Sequence, residues 1–312
     1  MGLRHWLLHN VRSALGTAQT LTKVTDLEPR IHGYAEKTGQ LQSRIAVLES
    51  RVEQLETLLK SASAPVSVEH APAGVTACRL NDDPINIPDE LLKFVIHTRV
   101  NSAEDPVPKL LAETEHYIWC RERLMPGDTA LDVGSNIGLF STMFAKMVKY
   151  GLVGTVHAIE ASPTVFRDLQ LLVKANNLDN VVVTHAAAAD KPGTLTFIDL
   201  QTDSVSRESS HLMTEGRDAA DTPGRVDVPA ITLDGYSDYH RGLRPRLIKI
   251  DVEGAEFLVL EGARKMIGEH HPFLCIEIHP DERGIFDHAR LKTYLDSFGY
   301  TYRHREKTYY CE

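Results

Sequence analysis

The chain has 312 residues, of which 42% are hydrophobic and 25% charged, ordinary values for a soluble globular protein able to bury one large core. A net charge of −9 argues against a sequence-independent grip on nucleic-acid phosphates. Four scattered cysteines (Cys78, Cys120, Cys275, Cys311) form no C-x-x-C pair, so zinc-site spacing and a secreted disulfide scaffold are excluded and a reducing, cytoplasmic setting is expected.

No apolar run approaches the ~18–20 residues that span a bilayer. The opening stretch, MGLRHWLLHNVRSALG, has a short apolar patch at Trp6 to Leu8, broken by His9 and Asn10. That is too interrupted for a signal-peptide core. It reads as an amphipathic helix, with weak peripheral membrane contact through Arg4, Trp6 and Arg12 as the alternative.

Between 41 and 59, the residues Leu41, Ile45, Leu48, Val52, Leu55 and Leu59 are spaced 4, 3, 4, 3, 4. Ile45, Val52 and Leu59 take heptad position a, and Leu41, Leu48 and Leu55 take position d. Arg44 and Arg51 then fall at g, opposite Glu49 and Glu56 at e. This pattern predicts a parallel two-stranded coiled coil and a homodimer. A single helix packed on its own domain is the competing reading. The following SASAPVSVEHAPAG is small, Pro-bearing and aperiodic, as linkers are. The expected division is therefore 1–62 helix and coiled coil, 63–80 linker, and 81–312 one domain.

Within that domain, 88–98 and 109–124 have helical patterns. Strand-like runs follow at 129–134, 154–160, 180–188, 193–199, 226–233, 246–252 and 272–279. Helical stretches lie at 137–149, 163–177, 253–268 and 287–298. Several strands are apolar on both faces, as buried parallel strands are. The fold class is α/β, with a doubly wound, Rossmann-like sheet. The tail reads as an antiparallel pair turning near Glu306.

In such a sheet, ligands bind at the carboxyl ends of the strands. The first strand ends in ALDVGSNIGLF, where Asp132 precedes a turn carrying Gly134 and Gly138. The turn lacks the G-x-G-x-x-G spacing of a dinucleotide site, and no Gly-Lys-Ser/Thr follows for a P-loop. An anionic Asp132 facing the pocket would repel a pyrophosphate and suit a ligand carrying an ammonium or sulfonium. Glu160 ends the second strand, where a carboxylate accepts both hydroxyls of a ribose. Ala161 and Ser162 beside it, and Ala187, Ala188, Ala189 and Asp190 after the third strand, leave room for a flat base. Together these pieces describe a site for S-adenosylmethionine (AdoMet).

The chain here resembles the FkbM-type AdoMet-dependent methyltransferases. The matching pieces are GDTALDVGSNIG (127–138), HAIEASPTVFRDL (157–169), AAAAD (186–190), ITLDGY (231–236), LIKIDVEGAEFLVLEGA (247–263) and FLCIEIHP (273–280). The resemblance implies a class I methyltransferase sheet and methyl transfer to hydroxyls, often of sugars or polyketide-type products. It also implies Asp132, Gly134, Ser135, Asn136, Gly138 and Glu160 as cofactor contacts. Ser135 stands where many members have alanine.

On the acceptor side, LIKIDVEGAEF puts Asp251 at the end of the fourth core strand. Glu253 and Glu256 read as first-turn carboxylates that suit the helix dipole. In FLCIEIHP, Glu277 and His279 are one residue apart and share a face. Attack by an alcohol needs a base for the hydroxyl proton, which makes Asp251, Glu277 and His279 the candidate catalytic residues. The same three can hold a divalent cation, but their spacing is not diagnostic and no metal is expected. The long polar segment 199–224 carries Arg207, Ser209, Ser210 and His211 as candidate acceptor contacts; segments of this kind are lids, binding loops or disordered, and disorder is the competing reading. An NAD-dependent oxidoreductase, disfavoured by the missing glycine fingerprint, and a coiled-coil scaffold with a vestigial AdoMet domain are the competing functions. The acceptor is expected to be a hydroxylated small molecule or glycan, not a nucleic acid.

Overall fold

The computed structural model describes residues 73–80, 83–92, 99–100, 109–110, 114–149, 153–199, 211–212, 222–280 and 284–312. The N-terminal helix, the coiled coil expected at 41–59, and Arg207, Ser209 and Ser210 lie outside the described residues.

The first strands are β1 (Val75–Leu80) and β2 (Asp83–Pro88), paired antiparallel. Residues 75–80 are thus a strand, correcting the linker read there. The alternation that buries Cys78 and Leu80 on one strand and Ile85 and Ile87 on the other outweighs the loop-like composition just before it. A single 3₁₀ turn, Asp89–Leu91, opens the stretch expected to be helical. Short strands β3 (Arg99–Val100) and β4 (Lys109–Leu110) pair antiparallel, and β4 runs parallel to β1. The helix expected over 109–124 is the shorter α1 (Thr114–Arg121).

The chain then alternates through β5 (Thr129–Val133), α2 (Leu139–Val148), β6 (Thr155–Glu160), α3 (Pro163–Ala175) and β7 (Val181–His185). Next come β8 (Ala187–Ala188), β9 (Gly193–Ile198), β10 (His211–Leu212), β11 (Arg225–Ile231) and α4 (Leu233–Tyr239). The last elements are β12 (Leu247–Ile250), α5 (Glu256–Glu261), α6 (Arg264–His270), β13 (Phe273–Glu277), α7 (His288–Ser297), β14 (Tyr302–Arg305) and β15 (Thr308–Cys311).

The central sheet has the order β14-β15-β13-β12-β5-β6-β7. From β13 to β7 all neighbours are parallel, while β15 runs antiparallel to both β13 and β14. The tail hairpin expected around Glu306 is present, with Glu306 at φ 53° in the left-handed region. The chain builds outward from β5 to β7 and then returns to the other side of β5 with β12. Strand order therefore reverses between β5 and β12, which opens a crevice at their carboxyl ends.

Alternate residues of each strand feed two cores. Ala130, Val156, Leu247 and Cys275 pack with Phe144, Val148 and Leu172 of α2 and α3. Leu131, Ile159, Ile248 and Ile276 pack on the opposite face with Val259, Ile267 and Leu295 of α5, α6 and α7. Helices on both faces explain why these strands are apolar throughout.

A smaller sheet, ordered β10-β9-β11-β8, adjoins this architecture. The helix expected over 253–268 is two, α5 and α6. It starts late because Glu253 (φ 54°) and Gly254 (φ 105°) are left-handed. At the break, a Cβ on Gly262 would lie 2.0 Å from the carbonyl oxygen of Ala189.

Candidate active site

The registers stack the site into two rows. Ala158, Asp132, Lys249 and Cys275 are neighbours across β6, β5, β12 and β13. Two residues farther along each strand lie Glu160, Gly134, Asp251 and Glu277, on the same face and about 7 Å nearer the carboxyl edge. This outer row lines a cleft, together with Asn136, Ala161, Ser162, Ala186, Ala187 and Ala188.

The inner row is scaffold. Asp132 is fully buried and absent from the cleft wall, contrary to the pocket-facing position expected of it. Its side chain lies on the α2 face, where Ser141 Oγ donates to Oδ2 at 2.5 Å and Oδ1 has no hydrogen-bond partner. Burial pushes its carboxyl up to about 6, against the pull of Lys249 opposite.

The glycine turn also divides. Gly134 has φ 77°, and a Cβ there would lie 1.8 Å from the carbonyl oxygen of Asp251, so the turn after β5 packs backbone to backbone on the loop after β12. Ser135 is buried and donates to the carbonyl of Asp132 at 2.7 Å. Gly138, at φ 94°, packs against Leu169 of α3. Ser135 and Gly138 therefore stand behind the cleft rather than in its wall, while Asn136 lies in it.

Glu160 joins two loops. Its Oε2 accepts the backbone N–H of Asn136 at 2.9 Å, and its Oε1 accepts that of Ser162 at 2.8 Å. Burial pushes its carboxyl up to about 7, although both backbone bonds favour the carboxylate. Ser162 caps α3 by accepting from Val165 N–H at 3.1 Å, and its hydroxyl donates to Asp199 at 2.6 Å. Ala161 and Ala188 sit in the cleft wall.

Phe197 of β9 and Leu212 of β10 also line the cleft, a contribution missed in the sequence because it comes from the separate small sheet. His211, a candidate acceptor contact, is buried in β10 beside it.

At the other end, Asp251, Glu277 and His279 come together, as their strand-end positions foretell. His279 Nε2 lies 3.5 Å from Glu277 Oε1, 3.9 Å from Asp251 Oδ1 and 3.4 Å from Glu253 Oε2, while Nδ1 is 2.9 Å from Glu256 Oε1. The sequence expectation for Glu253 and Glu256 is a helix-dipole role. Instead, the left-handed turn at Glu253 and Gly254 aims Glu253 into the cleft, and Glu256 is buried, bonded to Gly254 N–H and the imidazole. The E-G pair at 253–254 was the available signal for that turn.

Lys249 pairs with Asp251 at 2.9 Å, and Lys307, from the β14–β15 turn, contacts Glu277. Burial pulls the His279 pKa down, but the Glu256 bond and the Glu277 and Glu253 carboxylates lift it to about 10. These carboxylates favour the imidazolium form of the ring. Glu277 is held down to about 2: burial raises it, but His279 and Lys307 outweigh that.

The doubly wound sheet thus brings Glu160, a slot of small residues and an acidic cluster to one crevice. The profile of the methyltransferase FkbM domain matches residues 132–302, more than half of the chain, and the chain belongs to this family. No curated protein matches it. Among solved structures, a methyltransferase FkbM from Methylobacillus flagellatus is 20% identical with a TM-score of 0.43, over 61% of this chain and 44% of that one. This chain thus spans less than half the length of that relative. A SAM dependent methyltransferase from Aquifex aeolicus is 14% identical (TM-score 0.34; 64% and 93% covered). Aeropyrum pernix fibrillarin, in complex with natively bound S-adenosyl-L-methionine, is 13% identical (TM-score 0.38; 79% and 85% covered). The assignment rests on the family match and not on these distant likenesses. No described helix is long and apolar enough to cross a membrane.

Proposed function

We propose that the chain is an AdoMet-dependent O-methyltransferase acting on a hydroxyl of a sugar, glycan or other hydroxylated metabolite. The observation that carries the donor half is Glu160. Each of its oxygens is already held by one backbone N–H, from the loops after β5 and β6, so the carboxylate is preset at the cleft edge to accept two ribose hydroxyls. Ala161 and Ala186 to Ala188, faced by Phe197 and Leu212, form an apolar slot for the base.

When bound, AdoMet supplies an electrophilic methyl carbon on a sulfonium. The residues around Asp251 serve the acceptor. Glu277 and Lys307 line both the cleft and an outer groove bounded by Glu115, His116, Trp119, Arg303 and Arg305, which gives an acceptor its route in. A carboxylate of this cluster would take the hydroxyl proton of the acceptor as it reacts. With Nδ1 committed to Glu256, His279 positions those carboxylates. Dimerisation through residues 41–59 and a cytoplasmic location belong to the same proposal.

The donor half is tested by calorimetry with AdoMet. Glu160→Ala is expected to lose binding while its circular dichroism spectrum is unchanged, and an unaltered affinity would sink the ribose assignment. Labelled methyl transfer to fractionated glycans and lipid-linked sugars tests the acceptor class.

A further inference from the structure

We propose that Asp251, Glu277 and His279 form a binding site for one divalent cation, distinct from the nucleoside slot. One donor atom from each of the three lies within 4.8 Å of the others. Two ligands of one ion, at bonds of about 2.1 Å, sit about 3 Å apart when adjacent and about 4 Å apart when opposite. The separations of 3.5 and 3.9 Å from His279 Nε2 to Glu277 and Asp251 fall in that range, and the set as a whole, within 4.8 Å, is slightly wider than an ion would draw it.

The second observation is independent of the acidic residues. His279 Nε2 is buried without a hydrogen-bond partner, and the side chain is only 9% exposed. It points among three carboxylates, yet meets none within bonding geometry. Its other nitrogen is fixed 2.9 Å from Glu256, which is itself held by Gly254 N–H. A ring oriented by a carboxylate on one nitrogen, with the other aimed into a nest of oxygens, is how proteins present imidazole to a metal.

Charge supports the assignment. Asp251, Glu253, Glu256 and Glu277 converge here, and among the described residues Lys249 and Lys307 pair with Asp251 and Glu277. A doubly charged ion meets that excess more fully than a proton does. Asp251, Glu253 and Glu277 line the cleft, which gives the ion a way in, and Glu253 stands by as a further oxygen donor. Mostly oxygen with one imidazole and no thiolate suits manganese(II) and its hard relatives rather than a thiolate-seeking ion.

Its role rests on the methyl-transfer reading: an ion here binds the acceptor hydroxyl and acidifies it before attack. The site itself does not depend on that reading, and its test uses metal alone. Chelator-stripped full-length protein is titrated with manganese(II) in the absence of AdoMet, followed by electron paramagnetic resonance and calorimetry. One ion per chain is expected. His279→Gln, which keeps a polar group of similar reach, should weaken binding about tenfold or more.

Lys307→Met, at the exposed hairpin turn, removes the cation now on Glu277 and should tighten binding several-fold, a gain that misfolding cannot mimic. Absence of stoichiometric binding in the wild type, or affinities indifferent to both substitutions, would overturn the site. Failed AdoMet binding in a separate titration would leave the metal result standing, and the reverse also holds.

Discussion

Gly134 and Gly138 sit four residues apart in one turn and invite the same substitution, alanine, with different outcomes. Both have positive φ, 77° and 94°, so an added Cβ costs each about 1–2 kcal/mol of backbone strain. What the Cβ meets differs. At Gly138 it comes 2.5 Å from Leu169 Cδ1, the far end of a side chain that can rotate. At Gly134 it comes 1.8 Å from the carbonyl oxygen of Asp251 and 2.7 Å from its carbonyl carbon.

Backbone cannot rotate away, so the two loops must part by more than an ångström. That adds a further few kcal/mol by the usual scale for forced backbone strain, a large share of a typical stability of about 5–15 kcal/mol. Gly134→Ala is therefore expected to lower the urea midpoint well below that of Gly138→Ala, and to weaken AdoMet binding because Asn136 N–H leaves Glu160. Midpoints and affinities that are equal for the two variants would refute the close-packing argument.

A second expectation concerns pH. Glu160 is raised from 4.5 to about 7 in the folded chain, so the stability it contributes is fully present below pH 4.5 and lost as pH rises through 7. The stability of wild type relative to Glu160→Gln should therefore fall by roughly 3 kcal/mol between pH 4.5 and 8 in ligand-free urea titrations; a flat difference would mean that the two backbone bonds already hold the carboxylate at an ordinary value. Third, removal of residues 1–62 should convert a dimer into a monomer by light scattering, and a truncated chain that stays dimeric would place the contact elsewhere.

The strands and crossover helices were legible because a buried parallel sheet writes itself as apolar runs separated by turns, and most observed ends differ from expectation by a residue or two; the run expected over 180–188 divides into β7 and β8, and the helix expected over 253–268 into α5 and α6. The hairpin at Val75–Leu80 was hidden because its neighbours are rich in Pro, Ala and Ser. The acids were legible as acids, but their duties were not. Asp132 and Glu160 look alike in sequence, each an acid at or next to a strand end, and only register shows that one faces Lys249 in the sheet and the other faces the cleft. Glu253 was misread because helix propensity argues for a regular first turn, whereas Gly254 and a left-handed Glu253 delay the helix to Glu256. Phe197 and Leu212 come from β9 and β10, whose approach to the cleft no local pattern reveals.

Depth along the strand, more than residue type, separates scaffold from site in this sheet. In the inner row, Asp132 lies opposite Lys249, whose charge offsets part of the burial that raises the Asp132 pKa. Lys249 reaches outward as well, with its Nζ 2.9 Å from Asp251 in the outer row. The two rows are thus tied by Lys249, and the glycine turn and the loop after β12 by the close approach of Gly134 to the Asp251 carbonyl. A shift of the loop after β12 moves the acidic cluster and the glycine turn together, and through Asn136 N–H it moves Glu160 too. Glu160 and the carboxylates that surround His279 are therefore held in one frame. Methyl transfer needs such a frame, because donor carbon and acceptor oxygen must meet in line within a few tenths of an ångström.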